Sequence, residues 1–275
     1  MDTTASPDAP AARRRWWHWL VVAVGVLVVV VGIGVVWWIV GAPDAEQDAL
    51  FAASAIDGVE VAITDDLVTI TPTGDAAEGV LEGDTMVFYP GARVPPQAYV
   101  VTWAPVVAET GVEVVIPSMP LRLAVLDIDA ADGVRDEAAD EGGAGVEGEW
   151  WVGGHSLGGT MAASFLAGQP EGAWAGLVLW GSYPNGDVLV DRDDLAILSV
   201  SGGRDGLSTP DEIDASRTDL PASSSFVELN GVNHAQFGAY GDQGGDLEAE
   251  VTDATAHTEI ADATTAFLVE VTAPG

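Results

Sequence analysis

The stretch EWWVGGHSLGGTMAASFLA, running from Glu149 to Ala167, decides the fold. Its first part, Trp150 to Gly153, is a short apolar run, and its last part, Leu157 to Ala167, is a small-residue and apolar segment of helical length. Between them Gly154-His155-Ser156-Leu157-Gly158 has the form G-x-S-x-G. Set between a strand and a helix, that motif makes a sharp turn with the serine hydroxyl exposed at its tip. Gly154 and Gly158 leave room where side chains would collide with neighbouring backbone. Ser156 is therefore the candidate nucleophile.

A serine hydroxyl needs a base, and the base needs an orienting acid. Asp205 lies in SGGRDG (Ser201 to Gly206), just after the apolar run Leu195 to Val200. His234 lies in NGVNHA (Asn230 to Ala235), after Phe226 to Leu229. The order Ser156, Asp205, His234 is the one that accompanies a serine on such a strand-to-helix turn, and differs from the chymotrypsin and subtilisin orders. Asp193 and Asp194 fall at the wrong end of the same strand, and Asp211 follows Pro210 as a further rival acid. Of the remaining histidines, His18 lies in an apolar segment, His155 adjoins the nucleophile and packs beneath the turn or borders the pocket, and His257 opens a helix. For an oxyanion the natural donors are the N–H of Leu157 and one from the turn Pro90-Gly91-Ala92-Arg93, either Gly91 or Ala92, with Ala92 preferred.

Outward from this core the chain alternates strands and helices. Strands are expected at 59–63, 67–71, 85–89, 112–116, 149–153, 175–180, 195–201 and 226–229, with helices at 45–55, 97–110, 130–139, 157–167, from 210, and from His257 to Val269. Such alternation implies an α/β fold, a mostly parallel central sheet covered on both faces, with ligands at the carboxyl ends of its strands. The segment between Trp180 and Leu195 is too short to hold a lid, so the site should be open to small or surface-presented acyl groups.

The 275 residues carry 43 Asp+Glu against 9 Lys+Arg, a formal net charge of -34, and every basic residue is an arginine. That charge excludes nucleic acid and anionic lipid surfaces as partners. The lysine-free acidity favours a halophilic protein, adapted to high salt, over a merely acidic one. Without cysteine there is no disulfide framework, cysteine nucleophile or thiolate metal site.

From Trp16 to Val40 no Asp, Glu, Lys or Arg occurs, and tryptophans stand at both ends. The length suits a hydrocarbon core of about 30 Å, and the segment reads as one transmembrane helix rather than a cleaved signal. Arg13, Arg14 and Arg15 precede it, so the arginine side is expected in the cytoplasm and the catalytic domain outside it. The expected organisation is a cytoplasmic stub (1–15), the helix (16–40), a linker (41–57) and the catalytic domain (58–275), a single-pass membrane protein. No oligomeric state is implied.

Further stretches carry a resemblance: FYPGARVPPQAY (Phe88 to Tyr99), PSMPLRLAV (Pro117 to Val125), GLVLWGSYP (Gly176 to Pro184), GRDGL (Gly203 to Leu207) and NHAQFGAYG (Asn233 to Gly241). With the serine turn, they make the region from Met86 to Leu268 resemble the α/β-hydrolase superfamily, in the lidless dienelactone-hydrolase-like group of fold-5 domain proteins. The resemblance implies Ser156, Asp205 and His234 as the triad, and Gly91 or Ala92 with Leu157 at the oxyanion hole. Dienelactone hydrolases proper use a cysteine nucleophile, which this chain lacks, so their substrate does not carry over. The implied activity is that of a serine esterase acting on a small acyl substrate with no metal or organic cofactor. The alternatives are a peptidase or amidase on cell-envelope substrates, or a non-catalytic membrane-tethered binding protein on the same scaffold.

Overall fold

The computed structural model describes Val24, residues 41–141 and residues 148–273. Pro43–Gly275 forms one compact unit, distinct from Met1–Ala42. In the former, β1 (Val59–Ile63), β2 (Leu67–Pro72), β3 (Thr85–Tyr89), β4 (Glu113–Pro117), β5 (Trp150–His155), β6 (Gly176–Trp180), β7 (Ala196–Gly202) and β8 (Ser225–Leu229) make one sheet. Its order is β1-β2-β4-β3-β5-β6-β7-β8. The β1–β2 and β2–β4 pairs are antiparallel, and every pair from β4 to β8 is parallel.

The central strands are continuous apolar runs because both faces are covered. Along β3 the side chains alternate: Met86 and Phe88 enter one core cluster, Val87 and Tyr89 the other. The first cluster is closed by α2 (Val100–Thr110) and α6 (Asp253–Thr272), the second by α4 (Leu157–Ala167). Phe88, Trp103 and Trp180 meet at centroid distances of 4.6 to 5.3 Å in the first layer; such aromatic pairs add about 0.5–1.5 kcal/mol each beyond the area they bury. Shorter helices are α1 (Gln47–Ala53), α3 (Ala130–Glu141) and α5 (Pro210–Ser216). The sequence Thr209-Pro210-Asp211-Glu212 starts α5 with a capping box and a proline in the first turn. Helix α6 begins at Asp253, four residues before the expected His257, because the Thr252 side chain accepts from Thr255 N–H and so caps the helix earlier.

From β3 the chain moves outward to β4 and then returns to β5 on the other side, so the strand order reverses at β3. A crevice opens at the carboxyl ends where an open sheet switches direction. Here those ends release the 90–93 turn and the Ser156 turn side by side, with Tyr89 paired to Gly154.

The mostly parallel sheet is present, and no large lid is inserted between β6 and β7. The preceding transmembrane helix is corrected: among the described residues no helix is long and apolar enough to cross a membrane. The 20-residue α6 carries Asp253, Glu259, Asp262 and Glu270 and buries only one side, through residues such as Ala256, Ile260 and Leu268. The other α-helices between residues 41 and 273 that the structure describes are at most 12 residues long, below the roughly 20 that spanning requires. The 16–40 segment that carried the expectation lies, apart from Val24, outside the described residues. The membrane partner, the single-pass localisation and the extracytoplasmic placement rested on that helix and fall with it. The halophilic reading also finds no support in the fold. Some of the described carboxylates fill ordinary local roles: Asp132, Asp194 and Asp214 pair with Arg135, Arg192 and Arg217, and Asp84 and Asp194 accept from the amides of Glu149 and Gly172.

Candidate active site

Ser156 follows β5 directly and precedes the first residue of α4, with φ 54° and ψ -126°. A non-glycine residue held there stores about 1–3 kcal/mol of backbone strain, so surrounding contacts must impose it. Ser156 N–H donates to Trp180 O at 3.1 Å, and the Ser182 hydroxyl donates to Ser156 O at 2.7 Å. A Cβ on Gly154 would stand 2.5 Å from Gly158 C, and one on Gly158 would stand 2.2 Å from Tyr89 O. Both glycines are required by the closeness of the turn to its own helix and to β3.

Asp205 follows β7 and is fully buried. Its Oδ1 accepts from Leu207 N–H at 2.8 Å and Ser208 N–H at 2.7 Å. Its Oδ2 lies 2.8 Å from His234 Nδ1. His234, 1% exposed, thus has one ring nitrogen engaged by a carboxylate, while Nε2 makes no hydrogen bond within the protein. A carboxylate on Nδ1 fixes the tautomer that leaves Nε2 as an acceptor.

Beneath His234 lies His155, with ring centroids 4.5 Å apart. Gly91 N–H donates to the Tyr99 hydroxyl at 2.8 Å, and that oxygen is 3.0 Å from His155 Nδ1. The hydroxyl accepts from Gly91 and shares a second hydrogen bond with His155 Nδ1, joining the turn after β3 to the ring that precedes Ser156. Burial holds His155 well below the usual histidine range, reinforced by the neighbouring His234 and opposed by the His234 backbone carbonyl. The imidazole under the candidate base therefore resists taking up a proton itself. A Cβ on Gly91 would stand 2.8 Å from His155 Nδ1, which makes glycine necessary at this position.

Burial also lowers the His257 pKa, partly offset by Asp253. Unfolded, both imidazoles take up a proton as pH falls through 6.5; folded, they resist it. The unfolded state then binds more protons, so stability should fall as pH drops below that value, with His155 and His257 each contributing until its own folded-state pKa is reached. Urea unfolding midpoints across this range test the slope, and His257→Gln should remove one of the two increments. A slope unchanged by that variant would contradict the assignment.

The sequence-level candidates Ser156, Asp205 and His234 all stand at strand carboxyl ends, with Asp205 and His234 in direct contact. Leu157 is the first residue of α4, where helix N–H groups lack intrahelical partners. Gly91 and Ala92 follow β3, but the Gly91 N–H is spent on Tyr99. Tyr99 and Ser182 organise the site and were not singled out for these roles. Tyr99 acts on residues far along the chain, and Ser182 had only its place after β6 to mark it. Among the described residues no group of three or more His, Asp or Glu side chains is placed to hold a metal ion.

An alpha/beta hydrolase family model matches residues 85–258. No curated protein matches the chain. Among solved structures, the esterase domain of a Rhodothermus marinus protein is similar at 10% identity and TM-score 0.56, over 78% of this chain and 99% of that one. Est1E from Butyrivibrio proteoclasticus is similar at 12% identity and TM-score 0.54, over 78% and 99%. A candidate dienelactone hydrolase from Klebsiella pneumoniae is similar at 16% identity and TM-score 0.51, over 74% and 92%. At these identities the likeness is one of fold.

Proposed function

The chain belongs to the alpha/beta hydrolase family, and on that premise we propose that it is a serine esterase working through an acyl-enzyme. One observation carries the reading: a serine strained to φ 54° at a strand-to-helix turn whose preceding His155 ring lies 4.5 Å from the ring of His234, itself bound at 2.8 Å by a buried carboxylate. Ser156 Oγ attacks the ester carbonyl carbon while His234 Nε2 takes its proton. Asp205 stays ionised, orients the ring and stabilises the imidazolium. The oxyanion receives N–H bonds from Leu157 and from Ala92, the neighbour of the Gly91 amide already occupied by Tyr99. His234 then protonates the departing alkoxide. Water, deprotonated by the same nitrogen, cleaves the acyl-enzyme and restores Ser156. The lack of a large lid favours short or surface-presented acyl groups over deeply enclosed ones.

The test is covalent labelling with a fluorophosphonate, followed by mapping of the adduct and turnover of p-nitrophenyl esters of increasing chain length. The adduct is expected on Ser156, with turnover highest for short acyl chains. An adduct on another residue, or no labelling together with no ester turnover, would overturn the proposal.

A further inference from the structure

Residues 241–252, between the base loop and α6, contain no helix or strand, yet they are bonded to both loops that carry the candidate acid and base. Asn233 Nδ2 donates to Leu247 O at 2.8 Å, Arg204 Nε donates to Glu248 O at 3.2 Å, and Glu250 N–H donates to Gly231 O at 2.8 Å. At the centre of this strap is Asp246. Its Oδ1 accepts from Gly206 N–H at 2.9 Å and Leu247 N–H at 2.8 Å, and its Oδ2 accepts from Ala235 N–H at 2.9 Å.

Gly206 is the residue immediately after Asp205, and Ala235 the residue immediately after His234. One carboxylate thus receives the backbone amide next to the acid and the backbone amide next to the base. We propose that Asp246 is a positioning residue that sets the spacing of Asp205 and His234; the proposal rests on the serine-esterase reading. Charge-assisted bonds of this kind are stronger than neutral ones, and only a carboxylate offers acceptors on both oxygens. An asparagine would turn an N–H donor towards one of the amides it should accept from. The approach is close enough to constrain the acid loop as well, since a Cβ on Gly206 would stand 2.8 Å from Leu247 N.

The alternative is a loop staple that contributes to folding and nothing else. A double-mutant cycle separates the two, because a residue acting through the Asp205–His234 pair has nothing left to act on once that pair is broken. Asp246→Ala and Asp246→Asn are made in the full chain, each with and without Asp205→Asn, and followed by p-nitrophenyl acetate turnover and by the rate of fluorophosphonate labelling. With Asp205 intact, kcat and labelling rate are expected to fall about 10- to 100-fold with KM nearly unchanged, the cost of a small misplacement of reacting groups. In the Asp205→Asn background the further loss should stay within about twofold. An equal loss in both backgrounds, a loss confined to KM, or rates unchanged with Asp205 intact would overturn the proposal. Should the alanine variant fail to fold, the asparagine variant is read by the same criteria. If Ser156→Ala keeps turnover, the esterase reading falls and the clamp with it; if turnover requires Ser156 yet ignores Asp246, the clamp alone falls.

Discussion

Ser156→Ala is expected to lower p-nitrophenyl ester turnover by about 10⁴- to 10⁶-fold and to abolish fluorophosphonate labelling, since nothing else at the turn supplies a nucleophile. The protein should remain folded. The bonds that impose the turn run through the Ser156 backbone, N–H to Trp180 O and O from the Ser182 hydroxyl, and alanine retains them. His234→Ala should cost a comparable factor, and the double variant little more, because nucleophile and base act as one unit. Residual activity near the wild-type level in Ser156→Ala, measured on protein with an unchanged unfolding midpoint, would remove the serine from the mechanism.

The turn that carries the candidate nucleophile could be read from sequence because its geometry is encoded in contiguous residues. Gly154 and Gly158 answer clashes with backbone at 2.5 and 2.2 Å that any strand-to-helix turn of this tightness creates. Asp205 and His234 were legible for another reason: each ends an apolar run, and parallel strands deliver their carboxyl ends to one edge. The Tyr99 link between Gly91 and His155 was not legible, since it joins residues 56 positions apart, Tyr99 to His155, on different elements. Asp246 was harder still. It lies in a strap without periodicity, and nothing in a run of Gly, Asp and Glu marks which carboxylate faces two buried loops. The apolar 16–40 segment lies, apart from Val24, outside the described residues, and hydropathy offered no cue to the Thr252 cap that starts α6 early.

The second large effect is expected from Asp205→Asn, and it separates the two jobs of the carboxylate. Asp205 holds its own loop through Oδ1, which accepts from Leu207 and Ser208, and holds the base through Oδ2. Asparagine can keep its oxygen on the loop amides, but then presents an N–H donor to His234 Nδ1. The imidazole must accept there, its proton moves to Nε2, and that nitrogen can no longer take the serine proton as proposed. Turnover should fall about 10⁴-fold with KM little altered. Stability should change little, because the substitution removes a buried charge together with its need for a partner. His234→Ala should behave in the opposite way on stability, leaving Oδ2 of the fully buried Asp205 without its hydrogen-bond partner at a cost of about 1–3 kcal/mol. Denaturant unfolding of the two variants, set beside their turnover, distinguishes a carboxylate that orients the base from one that merely caps a turn. In the second case Asp205→Asn would leave turnover within about tenfold of wild type, far short of the loss expected of a misoriented base.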